Sequence, residues 1–243
     1  MTYCLAIALE EGLIFCSDSR TNAGPDQVTS YSKMHRFSFP GERKLFLLTA
    51  GNLATTQAVI TQLHRDTEQN LQPLIRTSNY VGDIADYIGS LLVLEKNKYS
   101  DTSGPDAGID AGATFILGGQ IMGQPPELYL IYPEGNFIEA SEDQSFFQIG
   151  ETKYGKPIIV RALEKDSNFG DAIKLLLVSF DCTMKANVSV GMPIDVCTLK
   201  KDDFQFNNQI RIEKNDPYFE KISNSWGEAL KKSIKKLPPF DFK

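Results

Sequence analysis

Four residues in the first 51 have the side chains and backbone to cleave an amide bond: Thr2, Asp18, Lys33 and Gly51. If Met1 is removed, Thr2 carries a β-hydroxyl beside a free α-amine, a nucleophile with a base attached. An α-amine has a reference pKa of about 8, so near pH 7 it is partly neutral and can take the hydroxyl proton. An ammonium at Lys33 close to Thr2 would lower the pKa of both groups, and a carboxylate at Asp18 would hold that lysine in place. Gly51 follows an apolar strand and precedes a helix, so its N–H could face a tetrahedral oxyanion. Arg20 either pairs with Asp18 or reaches a substrate carbonyl. Each residue has a plainer alternative: many chains begin Met-Thr, charged residues are mostly surface residues, and a bend after a strand needs a glycine for its own sake.

The elements that must position these residues follow from periodicity. Tyr3 to Leu9 and Leu13 to Cys16 are apolar strands joined by Glu10-Glu11-Gly12, and the polar cluster Ser17 to Arg20 ends the second. This hairpin returns Asp18 to the first residues. Thr21 to Ser32 is polar, with a turn at Gly24-Pro25-Asp26, and strands follow at Met34 to Phe39 and Leu45 to Ala50. Leu53 to Leu71 has helical spacing and Pro73 closes it. Asn79 is the expected cap of a second helix, with Val81, Ile84, Ile88, Leu91 and Leu92 on its apolar side. Asp101 to Gly108 is a loop. Four strands come next, at Ala113 to Leu117, Leu128 to Tyr132, Phe137 to Ile138 and Phe146 to Ile149.

Lys153 to Leu163 is weakly helical, with Pro157 either in its first turn or interrupting it. Asp171 to Met184 is strongly helical and apolar around most of its circumference, which requires cover from another layer or another subunit. Met192 to Leu199 and Phe204 to Ile212 are the last strands. Asp216-Pro217 starts an amphipathic helix, residues 217–237, with Phe219, Ile222, Trp226, Leu230 and Ile234 on one side and lysines at its end. Helices covering both outer faces of two packed antiparallel sheets make this an α+β chain, read as a single domain over 1–243.

Composition narrows the function classes. The net charge of -6 argues against nucleic acid or an anionic membrane as a partner. No apolar run approaches membrane-spanning length, and the N-terminus lacks the features of a secretory signal, so a cytoplasmic location is expected. The four cysteines, Cys4, Cys16, Cys182 and Cys197, form no CxxC pair and read as buried free thiols. With only His35 and His64, a histidine-based metal site or triad is hard to build. No metal and no cofactor are expected.

Thr2 with its apolar strand, Gly12, Asp18-Ser19-Arg20, Lys33 and the strand–Ala50-Gly51-Asn52–helix element resemble the opening of a proteasome-type β-subunit. MTYCLA at the start, SDSRTNAG at Ser17 to Gly24 and NVSVGMPIDV at Asn187 to Val196 are most similar to the bacterial Anbu type. The resemblance spans nearly the whole chain. It implies an N-terminal nucleophile hydrolase fold, a four-layer αββα sandwich, and self-association into a large homo-oligomer, a ring or an open helical form, with room for an unidentified regulator. By position it makes Thr2 nucleophile and base, Asp18 and Lys33 the supporting ion pair, and Gly51 the oxyanion donor. Proteasomal subunits carry Asp-x-x-Ser-Gly downstream; here the stretch is Lys185 to Gly191, where Ser189 takes the serine role and the aspartate is missing, with Asp181 as a substitute.

The leading expectation is therefore a threonine-type peptidase or amide hydrolase acting on a peptide or amide substrate. The alternatives are a catalytically dormant structural or interaction subunit of a proteasome-like assembly, and an amidase for small or conjugated amides.

Overall fold

The computed structural model describes residues 2–22, 28–68, 74–98, 110–204 and 208–242. The chain opens with β1 (Tyr3–Leu9), β2 (Gly12–Asp18), β3 (Arg20–Asn22), β4 (Val28–Ser30), β5 (Met34–Phe39) and β6 (Arg43–Gly51). The helices α1 (Leu53–Glu68), α2 (Leu74–Thr77) and α3 (Val81–Asn97) follow. Strands resume with β7 (Ala113–Ile121), β8 (Glu127–Ile131), β9 (Phe137–Glu139) and β10 (Phe146–Gly150). Then come α4 (Lys156–Ala162), α5 (Phe169–Ala186), β11 (Ile194–Lys200), β12 (Asn208–Ile212) and α6 (Pro217–Lys235).

Two five-stranded antiparallel sheets stack face to face. One runs β10-β1-β2-β11-β12 and the other β5-β6-β7-β8-β9. The continuous apolar run of β1 follows from this stacking. Tyr3, Leu5 and Ile7 face α5, packing with Leu176, Leu177 and Phe180, while Cys4 and Ala6 face the second sheet. A strand buried on both faces has no solvent side to alternate with. Between the sheets the Phe15 and Phe46 rings stack with centroids 4.7 Å apart. The outer face of the second sheet is covered by α1 and α3 through Val59, Leu63, Ile84 and Ile88. The layers are thus α, β, β, α, the sandwich the resemblance implies.

Several elements differ from the expectations. The second strand does not end at Cys16: Ser17 and Asp18 stay in β2, paired with Asp195 and Ile194 of β11. The polar stretch after it holds a two-stranded ribbon, β3 with β4, whose register is set by backbone bonds rather than apolar pattern. A short helix, α2, sits where only a break was expected. Asn79 does not cap the next helix: Tyr80 is the N-cap of α3 and gives no side-chain bond. β7 runs on through Gly118 and Gly119, where a Cβ would come within 2.7 Å of the Phe15 ring and 2.3 Å of the Lys44 carbonyl oxygen. Gly118 makes room for a ring of the facing sheet and Gly119 for the adjacent strand β6; neither ends the strand. Pro157 fits the first turn of α4. Helix α5 starts earlier than Asp171, with Asn168 accepting the Asp171 N–H at 2.9 Å. The turn at residues 24–26, the loop at 101–108 and part of the last strand lie outside the described residues.

Candidate functional site

The hairpin places Thr2 beside the end of β2. Cys4 pairs with Ser17, which sets Tyr3 across from Asp18, and the Tyr3 N–H donates to Asp18 Oδ1 at 3.0 Å. On its other side Thr2 meets the end of β10: its carbonyl accepts the Glu151 N–H at 2.8 Å. A Cβ on Gly150, whose φ is +83°, would lie 1.9 Å from that same carbonyl oxygen. The site therefore needs glycine there for both conformation and space.

Asp18 is fully buried and gathers three donors. Oδ1 accepts the Tyr3 N–H and the Lys33 ammonium, the latter at 2.7 Å, and Oδ2 accepts the Gly191 N–H at 3.3 Å. Burial pushes its carboxyl above the ordinary range; the lysine and the backbone donors pull the other way. Lys33, just ahead of β5, is fixed by the Thr49 N–H donating to its carbonyl, and its ammonium also donates to the Arg20 carbonyl at 2.6 Å. Lys33, Thr2 and Gly51 line one cavity of about 440 Å³, together with Thr21, His35 and Gln57. Gly51 has φ +111°, and a Cβ there would come within 2.5 Å of the Gly112 carbonyl oxygen.

Other expected residues turn elsewhere. Arg20 takes neither proposed role: its guanidinium donates to the Val188 carbonyl at 2.6 Å and lies where a Gly191 side chain would be. Ser189 donates its hydroxyl to Asn187 Oδ1 at 2.6 Å, closing a local turn. Asp181 pairs with Lys185 on the same helix at 2.9 Å, so it is no substitute for the missing aspartate. The Gly191 N–H, the Arg20 carbonyl and His35 belong to the site without being expected from the sequence. The first two are backbone and leave no side-chain signal. Burial, with a smaller contribution from His64, lowers the His35 pKa to about 4, so it lines the cavity as a neutral ring near pH 7. The cysteines are free, but Cys182 is only half-buried. Among the described residues no three of His, Cys, Asp and Glu come together closely enough to hold a metal ion.

A stacked αββα sandwich with a buried Asp–Lys pair under an N-terminal strand defines the N-terminal nucleophile hydrolase-like class, that of proteasome β-subunits. No family model and no curated protein matches the chain. Solved structures match it along its length. Anbu from Yersinia bercovieri, described as an ancestral beta-subunit, is 41% identical, with 100% of both chains covered and a TM-score of 0.92. Anbu from Hyphomicrobium sp. strain MC1 is 42% identical over 99% of this chain and 100% of that one, with a TM-score of 0.88. A third match is the helical assembly of the Anbu complex from Pseudomonas aeruginosa, 40% identical over 99% and 98%, TM-score 0.86. The chain belongs to the Anbu family.

This assignment corrects the functional expectation. The relatives are Anbu proteins, none described as a peptidase, and they carry no threonine-protease activity over to this chain. In the structure Thr2, Lys33 and Gly51 line one cavity beside the Asp18–Lys33 pair, while the hydroxyl of the downstream serine, Ser189, donates to Asn187. The family match replaces the expectation of a threonine peptidase, hydrolase or small-amide amidase, and of a peptide or amide substrate, with that of a proteasome-like assembly subunit.

Proposed function

We propose that this chain is a catalytically dormant, single-domain structural subunit of a proteasome-like homo-oligomer. The observation that carries the reading is α6. Of its 19 residues only Phe219 is buried, although Tyr218, Leu230 and Ile234 are apolar and exposed. An amphipathic helix keeps its apolar side in water only at a cost that docking removes. The Anbu complex from Pseudomonas aeruginosa is a helical assembly, and the same kind of self-association suits this chain.

In this reading Thr2, Asp18, Lys33 and Gly51 are framework residues of a retained cavity, and Ser189 stabilises the turn leading into β11. Among the described residues no helix is long and apolar enough to cross a membrane. Free thiols at all four cysteines suit a reducing cytoplasm. Light scattering after size exclusion tests the assembly: a mass many times the 27.1 kDa of one chain is expected. A monomer at all micromolar concentrations overturns it.

A further inference from the structure

A second cavity, larger than the one at Thr2, lies away from it. It is an open groove of about 640 Å³ between the end of β1, the β9–β10 connection and α4. Its floor is apolar, with Leu9, Phe146 and Leu163. Its rim is acidic: Glu10, Glu127, Glu139, Glu142, Asp143 and Glu164 outnumber Lys156 and Lys165. Among the described residues Lys165 and Glu142 are paired across it, at 3.5 Å between exposed side chains. Burial, and then the Glu139 carboxylate, raise the Glu127 carboxyl above its ordinary range.

The chain carries the opposite surface at its other end. Every residue from Glu228 to Phe242 is exposed. This segment includes Leu230, Ile234, Leu237, Phe240 and Phe242, the last two 80% and 91% exposed. Lys231, Lys232, Lys235 and Lys236 are interleaved with them, against only Glu228 and Asp241. No residue of α6 lines the groove of its own chain, so both surfaces are left uncovered together.

We infer that the basic, apolar C-terminal segment 228–242 of one copy docks in the acidic groove under α4 of the next copy. Apolar side chains enter the floor, and lysines meet the rim carboxylates. The contact joins two different surfaces, so each copy offers one groove and one tail. Such a head-to-tail interface closes into a ring only if its rotation allows and otherwise builds an open helix. Charge complementarity of this kind sets register and partner choice more than raw affinity. The inference rests on the self-association proposed above and adds the surfaces that meet.

A charge-swap experiment on the full-length chain tests it. Glu139→Lys/Glu142→Lys/Asp143→Lys reverses the rim, and Lys232→Glu/Lys235→Glu/Lys236→Glu reverses the tail. All six positions are exposed, so circular dichroism and melting temperature should match the parent. Each triple variant is expected to need at least about tenfold more protein to assemble in sedimentation velocity. The two triple variants mixed together, each supplying one reversed surface to the other, should co-assemble. Assembly of either triple variant alone at the parental concentration overturns the groove assignment while leaving self-association intact. Loss in both without recovery on mixing overturns the pairing. A parent that never assembles overturns the self-association reading itself.

Discussion

Asp18 Oδ1 sits 2.7 Å from Lys33 Nζ, with the two side chains 0% and 7% exposed. The pair joins β2 to the segment ahead of β5, and so ties the two sheets together at the Thr2 end. A buried pair of this kind adds little net stability over a well-packed apolar replacement, because both charges lose water. Breaking it is different. Lys33→Ala leaves a carboxylate buried with no cation, and a loss of about 3–5 kcal/mol is expected in urea denaturation. The double change Asp18→Leu/Lys33→Met should be markedly less costly than Lys33→Ala alone; additive losses would show that the two groups do not act as a pair.

Thr2 should be chemically quiet. An electrophilic N-terminal-threonine probe is expected to leave the intact mass of the chain unchanged. Thr2→Ala should leave assembly intact and shift stability by no more than about 1 kcal/mol, the ordinary range for a small trimming. A stoichiometric adduct mapped to Thr2 would refute dormancy.

Stability should rise with pH from about 4 to about 6.5. His35 is held near 4 in the fold, whereas in the unfolded chain it titrates near 6.5. Across that window the unfolded state binds more protons, so stability is lost as pH falls, by an amount on the order of 1–3 kcal/mol for a half-buried ring. Urea midpoints measured at pH 4.5 and 7 should differ in this direction, and His35→Gln should flatten the dependence. An unchanged pH profile in that variant would assign the effect to other groups.

Two glycines with similar backbone angles should respond differently to alanine. Gly123 has φ +84° with no atom within 4 Å of a built Cβ, so Gly123→Ala pays only the left-handed conformation, about 1–2 kcal/mol. Gly150 has φ +83° and a Cβ 1.9 Å from the Thr2 carbonyl oxygen. Gly150→Ala must add displacement of the first strand to the same strain, for a total above about 3 kcal/mol. Equal melting temperatures for the two variants would show that the β1–β10 junction is softer than its geometry.

Much of the scaffold was legible in residue order alone. The β1–β2 hairpin and the helices α1, α3, α5 and α6 follow from hydrophobic periodicity and turn residues, whereas the pairing of Asp18 with Lys33 is assigned by the family resemblance. Periodicity and turn signals are local. The sequence also determined the family resemblance and the αββα architecture it implies.

Tertiary structure decided what local pattern does not encode. The β3–β4 ribbon is held by backbone pairing, and β7 continues through Gly118-Gly119, which pair with Phe46 and Leu45 of β6, while the missing Cβ of Gly118 leaves room for Phe15. Arg20 satisfies the Val188 carbonyl instead of a substrate, and Ser189 turns to Asn187. Side-chain type states what chemistry a residue could do; only the three-dimensional arrangement of its partners decides whether that chemistry is assembled. Here two of the residues expected to support a nucleophile, Asp18 and Lys33, form a buried ion pair tying two sheets together, and the uncovered surfaces lie at α6 and the groove under α4.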